Sequence, residues 1–177
     1  MKRIVVVEDR PWKVMQSIQT LQKEGVEFCK TIFYPNNLID KKSKEELMEE
    51  YKRVTGMEVV QVDTQIEFLD QMNESYDDPD IIFLMDFDLK GDMNANDFFS
   101  RINVKYALAK KTEKEDEKGK IWFYTSGPSD IKGLLMETFP GRLISTPLFY
   151  EGQLYWDNDQ VKRAAELNQD YEKGTKA

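Results

Sequence analysis

The chain contains no histidine. That absence removes Ser–His and Cys–His nucleophile pairs, imidazole general bases, His-containing zinc sites and any role as a phosphohistidine carrier. A metal ion here must be held by oxygen ligands, and a magnesium-like ion suits such a set. Cysteine is nearly as scarce: Cys29 stands alone, so no internal disulfide forms and a thiolate metal site has no second ligand. Cys29 reads as a core residue of a protein kept in a reducing cytoplasm. No apolar run approaches the length of a membrane span, and Met1-Lys2-Arg3 leads directly into a strand pattern instead of a signal peptide. Positive charge is in deficit, with 25 Lys and Arg against 33 Asp and Glu and a net charge of −8. Direct nucleic-acid binding needs the opposite balance. The pairs Lys41-Lys42 and Lys110-Lys111 are each followed by acidic residues and read as solvated loops.

What the chain does have is a set of short β-branched and aromatic runs that end in acidic or hydroxyl residues. Ile4-Val5-Val6-Val7 ends in Glu8-Asp9, Ile81-Ile82-Phe83-Leu84-Met85 ends in Asp86, and Ile121-Trp122-Phe123-Tyr124 ends in Thr125-Ser126. Such runs, interleaved with helical patterns, are the mark of central strands in a parallel sheet. The 177 residues suit one domain. The pattern predicts an α/β fold: a doubly wound, flavodoxin-like, five-stranded parallel sheet with helices on both faces and an inserted β/α segment.

Between these strands, Pro11 opens a helix with Val14, Met15, Ile18 and Leu21 on its buried stripe, ended by Gly25. Val26 to Tyr34 has strand character. Ser43-x-x-Glu46 and Thr64-x-x-Glu67 are capping boxes, the first before Leu47, Met48, Tyr51 and Val54, the second before Ile66, Leu69 and Met72. Glu58 to Val62 reads as a strand. Further helices are expected over Phe98 to Tyr106 and Ile131 to Leu135, with a charged loop at 109–120. Arg142 to Ser145 reads as a strand, Leu148 to Trp156 as a hairpin or extended loop, and Asp157-x-x-Gln160 as the cap of a last helix. One domain over 1–172 is expected, with residues 173–177 as a frayed tail.

In open α/β sheets the functional crevice lies outside the carboxyl ends of the strands. Glu8, Asp9, Asp86 and Thr125 therefore fall in one neighbourhood. Three carboxylates there repel one another unless a cation intervenes. A divalent ion between Asp9 and Asp86, with Glu8 nearby, resolves the conflict, and Asp86 is then a candidate nucleophile toward a phosphoryl donor. The competing reading is that acidic strand ends serve only as helix caps, as Asp9 would before Arg10-Pro11.

These residues resemble the receiver domain of two-component response regulators. Ile4-Val5-Val6-Val7-Glu8-Asp9 is similar to that family's first strand and its metal-binding acidic pair. Asp80 to Gly91 resembles the phosphoacceptor strand. The resemblance implies phosphorylation at Asp86, magnesium held by Glu8, Asp9, Asp86 and the Asp88 backbone carbonyl, and Thr125 as the switch hydroxyl. Thr146-Pro147 falls where the family has Lys-Pro. A neutral hydroxyl at Thr146 does not supply the missing lysine's charge, and Leu143 occupies the aromatic switch position. About thirty extra residues, roughly 26–57, have no counterpart in the family. Lys13 or Lys90 could reach the site, but a loop or helix-start lysine does not reproduce the strand-end geometry.

Three functions compete on this reading. The first is a stand-alone receiver-like signalling module, Mg2+-dependent and phosphorylated on Asp86, which acts on a protein partner such as a kinase or downstream effector. Enzymatic activity is then limited to phosphoryl transfer onto and off Asp86. The second is a pseudo-receiver that docks constitutively. The third is a phosphohydrolase of the haloacid-dehalogenase type, because Asp86-Phe87-Asp88 resembles its Asp-x-Asp motif. The aromatic stretch Pro147 to Trp156 is either an interface or a cover for the sheet edge, and homodimerisation through the last strand and helix is common in the receiver family.

Overall fold

Ile4 to Val7 lie in the middle strand of an all-parallel five-stranded sheet. The computed structural model describes residues 2–35, 40–76, 78–86, 89, 121–125, 132–133, 136, 141–144, 148–150 and 153–175. Its elements are β1 (Arg3–Glu8), a 3-10 turn (Pro11–Val14), α1 (Met15–Lys23), β2 (Glu27–Phe33), α2 (Lys41–Thr55), β3 (Glu58–Gln61), α3 (Gln65–Tyr76) and β4 (Ile81–Asp86). After these come β5 (Ile121–Tyr124), β6 (Leu148–Tyr150), β7 (Gln153–Tyr155) and α4 (Asn158–Thr175). The strand order is β3-β2-β1-β4-β5, a doubly wound, flavodoxin-like arrangement with an extra strand. Beyond β5 the segment around Leu143 continues the sheet through a parallel bridge to Phe123. β6 and β7 form a separate antiparallel hairpin.

Alternation along β1 divides the core into two layers. Ile4 and Val6 pack with Ile18, Leu21, Met48, Tyr51, Val161 and Ala164, beneath α1, α2 and α4. Val5 and Val7 pack with Phe68, Met72 and Tyr76 of α3 on the opposite face. Full burial of such side chains stabilises the fold by about 1.5–3 kcal/mol each. Cys29 is half-buried against the α3-side core, in keeping with its reading as a packing residue.

The segment between α1 and the Glu58 strand does more than cover an edge. It supplies β2, which pairs along all of β1, and it leaves β3 at the edge of the sheet. A strand that follows a single crossover helix reaches the adjacent position by one right-handed connection, so the first strand after α1 takes the place beside β1.

Local signals set the helix ends. Asp40, not Ser43, caps α2: its carboxylate accepts the Ser43 N–H at 3.1 Å. Gly56 closes that helix in the left-handed region at φ 64°, which favours glycine. Replacing Asp40 with Ala should cost about 1 kcal/mol in urea unfolding, whereas Ser43→Ala should leave the midpoint nearly unchanged. In α3, Thr64 Oγ1 accepts the Glu67 N–H at 3.2 Å, and Glu67 reaches back to the N–H of Asp63 instead of Thr64. The buried stripe of α3 is Phe68, Met72 and Tyr76, and Ile66 is 73% exposed, contrary to expectation. Tyr34 accounts for the rotation, because it stacks on Phe68 with ring centroids 5.1 Å apart. Asp157 caps α4 through bonds from the N–H groups of Asp159 and Gln160, and the helix continues to Thr175, past the expected start of the tail at residue 173. The expected helix from Phe98 to Tyr106 and the 109–120 loop lie outside the described residues, as does most of the Ile131–Leu135 helix.

Candidate metal centre at the switch point of the sheet

From β1 the chain winds toward β2 and β3, then returns to β4 on the other side of β1. The carboxyl ends of β1 and β4 thus flank the point where the winding reverses, the place where open α/β sheets bind ligands. Glu8 ends β1, Asp9 follows it, and Asp86 ends β4. Glu8 and Asp9 are almost completely buried and Asp86 is half-buried. Each of the three offers a carboxylate oxygen, and these oxygens lie within 4.8 Å of one another. Oxygens on opposite sides of one ion are about 4 Å apart for Mg2+ and about 5 Å for Ca2+. The cluster therefore has the size and donor chemistry to hold a metal ion.

The β1 turn reads Glu8-Asp9-Arg10-Pro11, without the glycines of a phosphate cradle. Its backbone amides are directed inward: the N–H groups of Asp9 and Arg10 both donate to Glu8 Oε1 at 3.1 Å. The Tyr124 hydroxyl donates to Glu8 Oε2. Asp9 differs. Its Oδ1 is buried without a hydrogen-bond partner, and Arg10 Nε is 3.9 Å away. A buried acceptor left without a partner costs about 1–3 kcal/mol, a deficit that a cation removes.

Electrostatics reports the same crowding. Burial, reinforced by the charge of Asp86, pushes the Glu8 carboxyl up to about 8. Burial and the adjacent Glu8 push Asp9 up to about 8 as well. Burial, then the nearby carboxylates, holds the Tyr124 phenol well above its ordinary value. Lys13, in the 3-10 turn, is lowered by burial and by Arg10, against the opposing pull of Glu8, Asp9 and Asp86.

Thr125 follows β5 directly and is 1% exposed. Because Tyr124 pairs with Asp86 across the β4–β5 ladder, Thr125 sits one residue beyond that pair at the carboxyl edge. The strand ends bring Glu8, Asp9 and Asp86 together, and Thr125 follows the neighbouring strand at the same edge of the sheet. Asp88, Lys90, Ser126 and Thr146 lie outside the described residues. The sequence reading treated Tyr124 as an apolar strand residue and missed its bond to Glu8. A buried phenol needs a partner, and that was the available signal. The Thr31–Tyr51 pair, joined at 2.6 Å in the adjoining core, was missed in the same way.

Of the aromatic stretch, Trp156 is buried and lies against Tyr124, with ring centroids 5.1 Å apart, so it covers the sheet. Tyr155 bonds through its hydroxyl to Gln16 of α1. The side chains of Phe149 and Tyr150 lie outside the described ones. Among the described residues, no helix is long and apolar enough to cross a membrane. Comparison of the chain with protein-family models, with curated proteins and with solved structures finds no match.

Proposed function

We infer that the chain is a receiver-like signalling module that binds Mg2+ through Glu8, Asp9 and Asp86, accepts a phosphoryl group on Asp86, and acts by docking on a protein partner. The observation that carries this reading is the convergence of the three carboxylates within 4.8 Å at the switch point. Bound there, Mg2+ would neutralise the carboxylates and the charge of an incoming phosphoryl group. Asp86 supplies the nucleophile: a carboxylate oxygen bonds to phosphorus as the bond to the donor's leaving group breaks, and the leaving group departs with that electron pair. Thr125, at the neighbouring strand end, would contact the transferred oxygens. Water attack on the acyl phosphate returns the carboxylate and free phosphate.

One observation favours a second reading, a constitutive docking protein without phosphoryl transfer. Glu8 already accepts two backbone N–H groups and the Tyr124 hydroxyl, so much of the site is satisfied internally. Incubation with acetyl phosphate and Mg2+, read by intact mass, separates the two. The receiver reading predicts one hydroxylamine-labile phosphoryl adduct, absent without Mg2+ and absent in Asp86→Asn. No adduct in the wild-type chain, while a reference receiver is labelled, rules out phosphoryl transfer from this donor and favours the docking reading.

A further inference from the structure

The Glu8 carboxylate has about four lone-pair positions. Oε1 uses two on the N–H groups of Asp9 and Arg10, and Oε2 uses one on Tyr124. The two amide bonds fix one oxygen only, and the terminal torsion of a glutamate is broad and roughly two-fold. The second oxygen needs its own anchor if the carboxylate plane is to be held. Tyr124 provides it from an unexpected place. It belongs to β5 and pairs with Asp86 of β4, yet its hydroxyl reaches across the end of β4 to Glu8 of β1. Its ring is completely buried and backed by Trp156 at 5.1 Å, which limits where the hydroxyl can go.

We propose that Tyr124 is a positioning residue for the metal centre, holding the Glu8 carboxylate so that one lone pair of Oε2 faces the site shared with Asp9 and Asp86. This rests on the metal-binding reading of the cluster and deepens it. A phenylalanine fills the same space and removes only the anchor. Partners that orient a ligating group are worth about 10- to 100-fold in metal affinity.

Mn2+ alone serves as the probe, its free fraction read by electron paramagnetic resonance in the full chain. Tyr124→Phe should weaken Mn2+ binding about 10- to 100-fold. In a Glu8→Gln background, adding Tyr124→Phe should cause no further loss, because the residue acts through Glu8. A Phe variant that binds as tightly as the wild type overturns the proposal. An equal loss in both backgrounds also overturns it, since Tyr124 would then act as packing alone. A wild-type chain that binds no Mn2+ overturns the metal-centre reading itself, and the proposal with it. Should the Phe variant fail to fold, labelling tyrosine ring Cζ in the wild-type protein reads the same contact. The Tyr124 signal should move on Mg2+ addition, and a signal that stays fixed at metal saturation overturns the proposal.

Discussion

Asp86→Asn is expected to weaken divalent-cation binding by at least about a hundredfold and, without metal, to make the protein more stable. The two effects share a cause. Three carboxylates whose oxygens lie within 4.8 Å are mutually unfavourable when no cation is bound. The charge of Asp86 is the second-largest contribution, after burial, to the raised Glu8 pKa. An asparagine keeps the shape and the acceptor oxygen but removes the charge, so Glu8 ionises more easily in the folded chain. The gain is small at neutral pH, where Glu8 keeps its proton, and reaches about 1 kcal/mol above pH 8, where Glu8 ionises. Urea unfolding of the metal-free protein, paired with Mn2+ titration, measures both. A destabilised Asp86→Asn protein that still binds metal would contradict the electrostatic picture at both points.

The second large effect is on pH dependence. Glu8 holds its proton in the folded chain up to about 8, whereas the unfolded chain releases it near 4.5. Between those values the native state binds more protons than the unfolded state, so stability falls as pH rises. The contribution is fully present below the unfolded pKa and lost as pH climbs through the folded one. The slope approaches about 1.4 kcal/mol per pH unit for each extra proton held. Because Asp9 is raised partly by Glu8 itself, the two share the effect. A loss on the order of 3–5 kcal/mol across this window is expected for the metal-free protein. Saturating Mg2+ should flatten the profile, adding about 2.7 kcal/mol at a hundred times its Kd. Thermal or urea unfolding from pH 4.5 to 8, with and without Mg2+, tests this. Stability that rises with pH in the absence of metal would contradict burial as the dominant influence on these two carboxyls.

The fold class and the clustering of Glu8, Asp9 and Asp86 were legible in the sequence, and the pairing of the strands was less so. Ile4 to Val7, Ile81 to Met85 and Ile121 to Tyr124 are each buried throughout, so their apolar runs identified them as central strands. Parallel strands end at a common edge, so Glu8, Asp9, Asp86 and Thr125 followed. Pairing was less accessible, because a run such as Glu27 to Phe33 carries no mark of its neighbour. Its place beside β1 follows from crossover geometry, which periodicity does not encode. The face of α3 was ambiguous for a related reason. Ile66 and Phe68 each begin an apolar helical stripe, and partners distant in sequence, among them Tyr34, Val5 and Val7, select Phe68. The Tyr124–Glu8 bond spans 116 residues and three adjacent strands, beyond any local pattern.

The central claim is that the strand-end carboxylates form a working cation and phosphoryl site. Titration of the full chain with Mg2+ and then beryllofluoride, followed by backbone amide NMR with Asp86→Asn as control, tests it most directly. Saturable shifts clustered at Asp9, Asp86 and Thr125 that vanish in the variant are the expected result. Amides that respond to neither ligand, or that respond identically in Asp86→Asn, would contradict it.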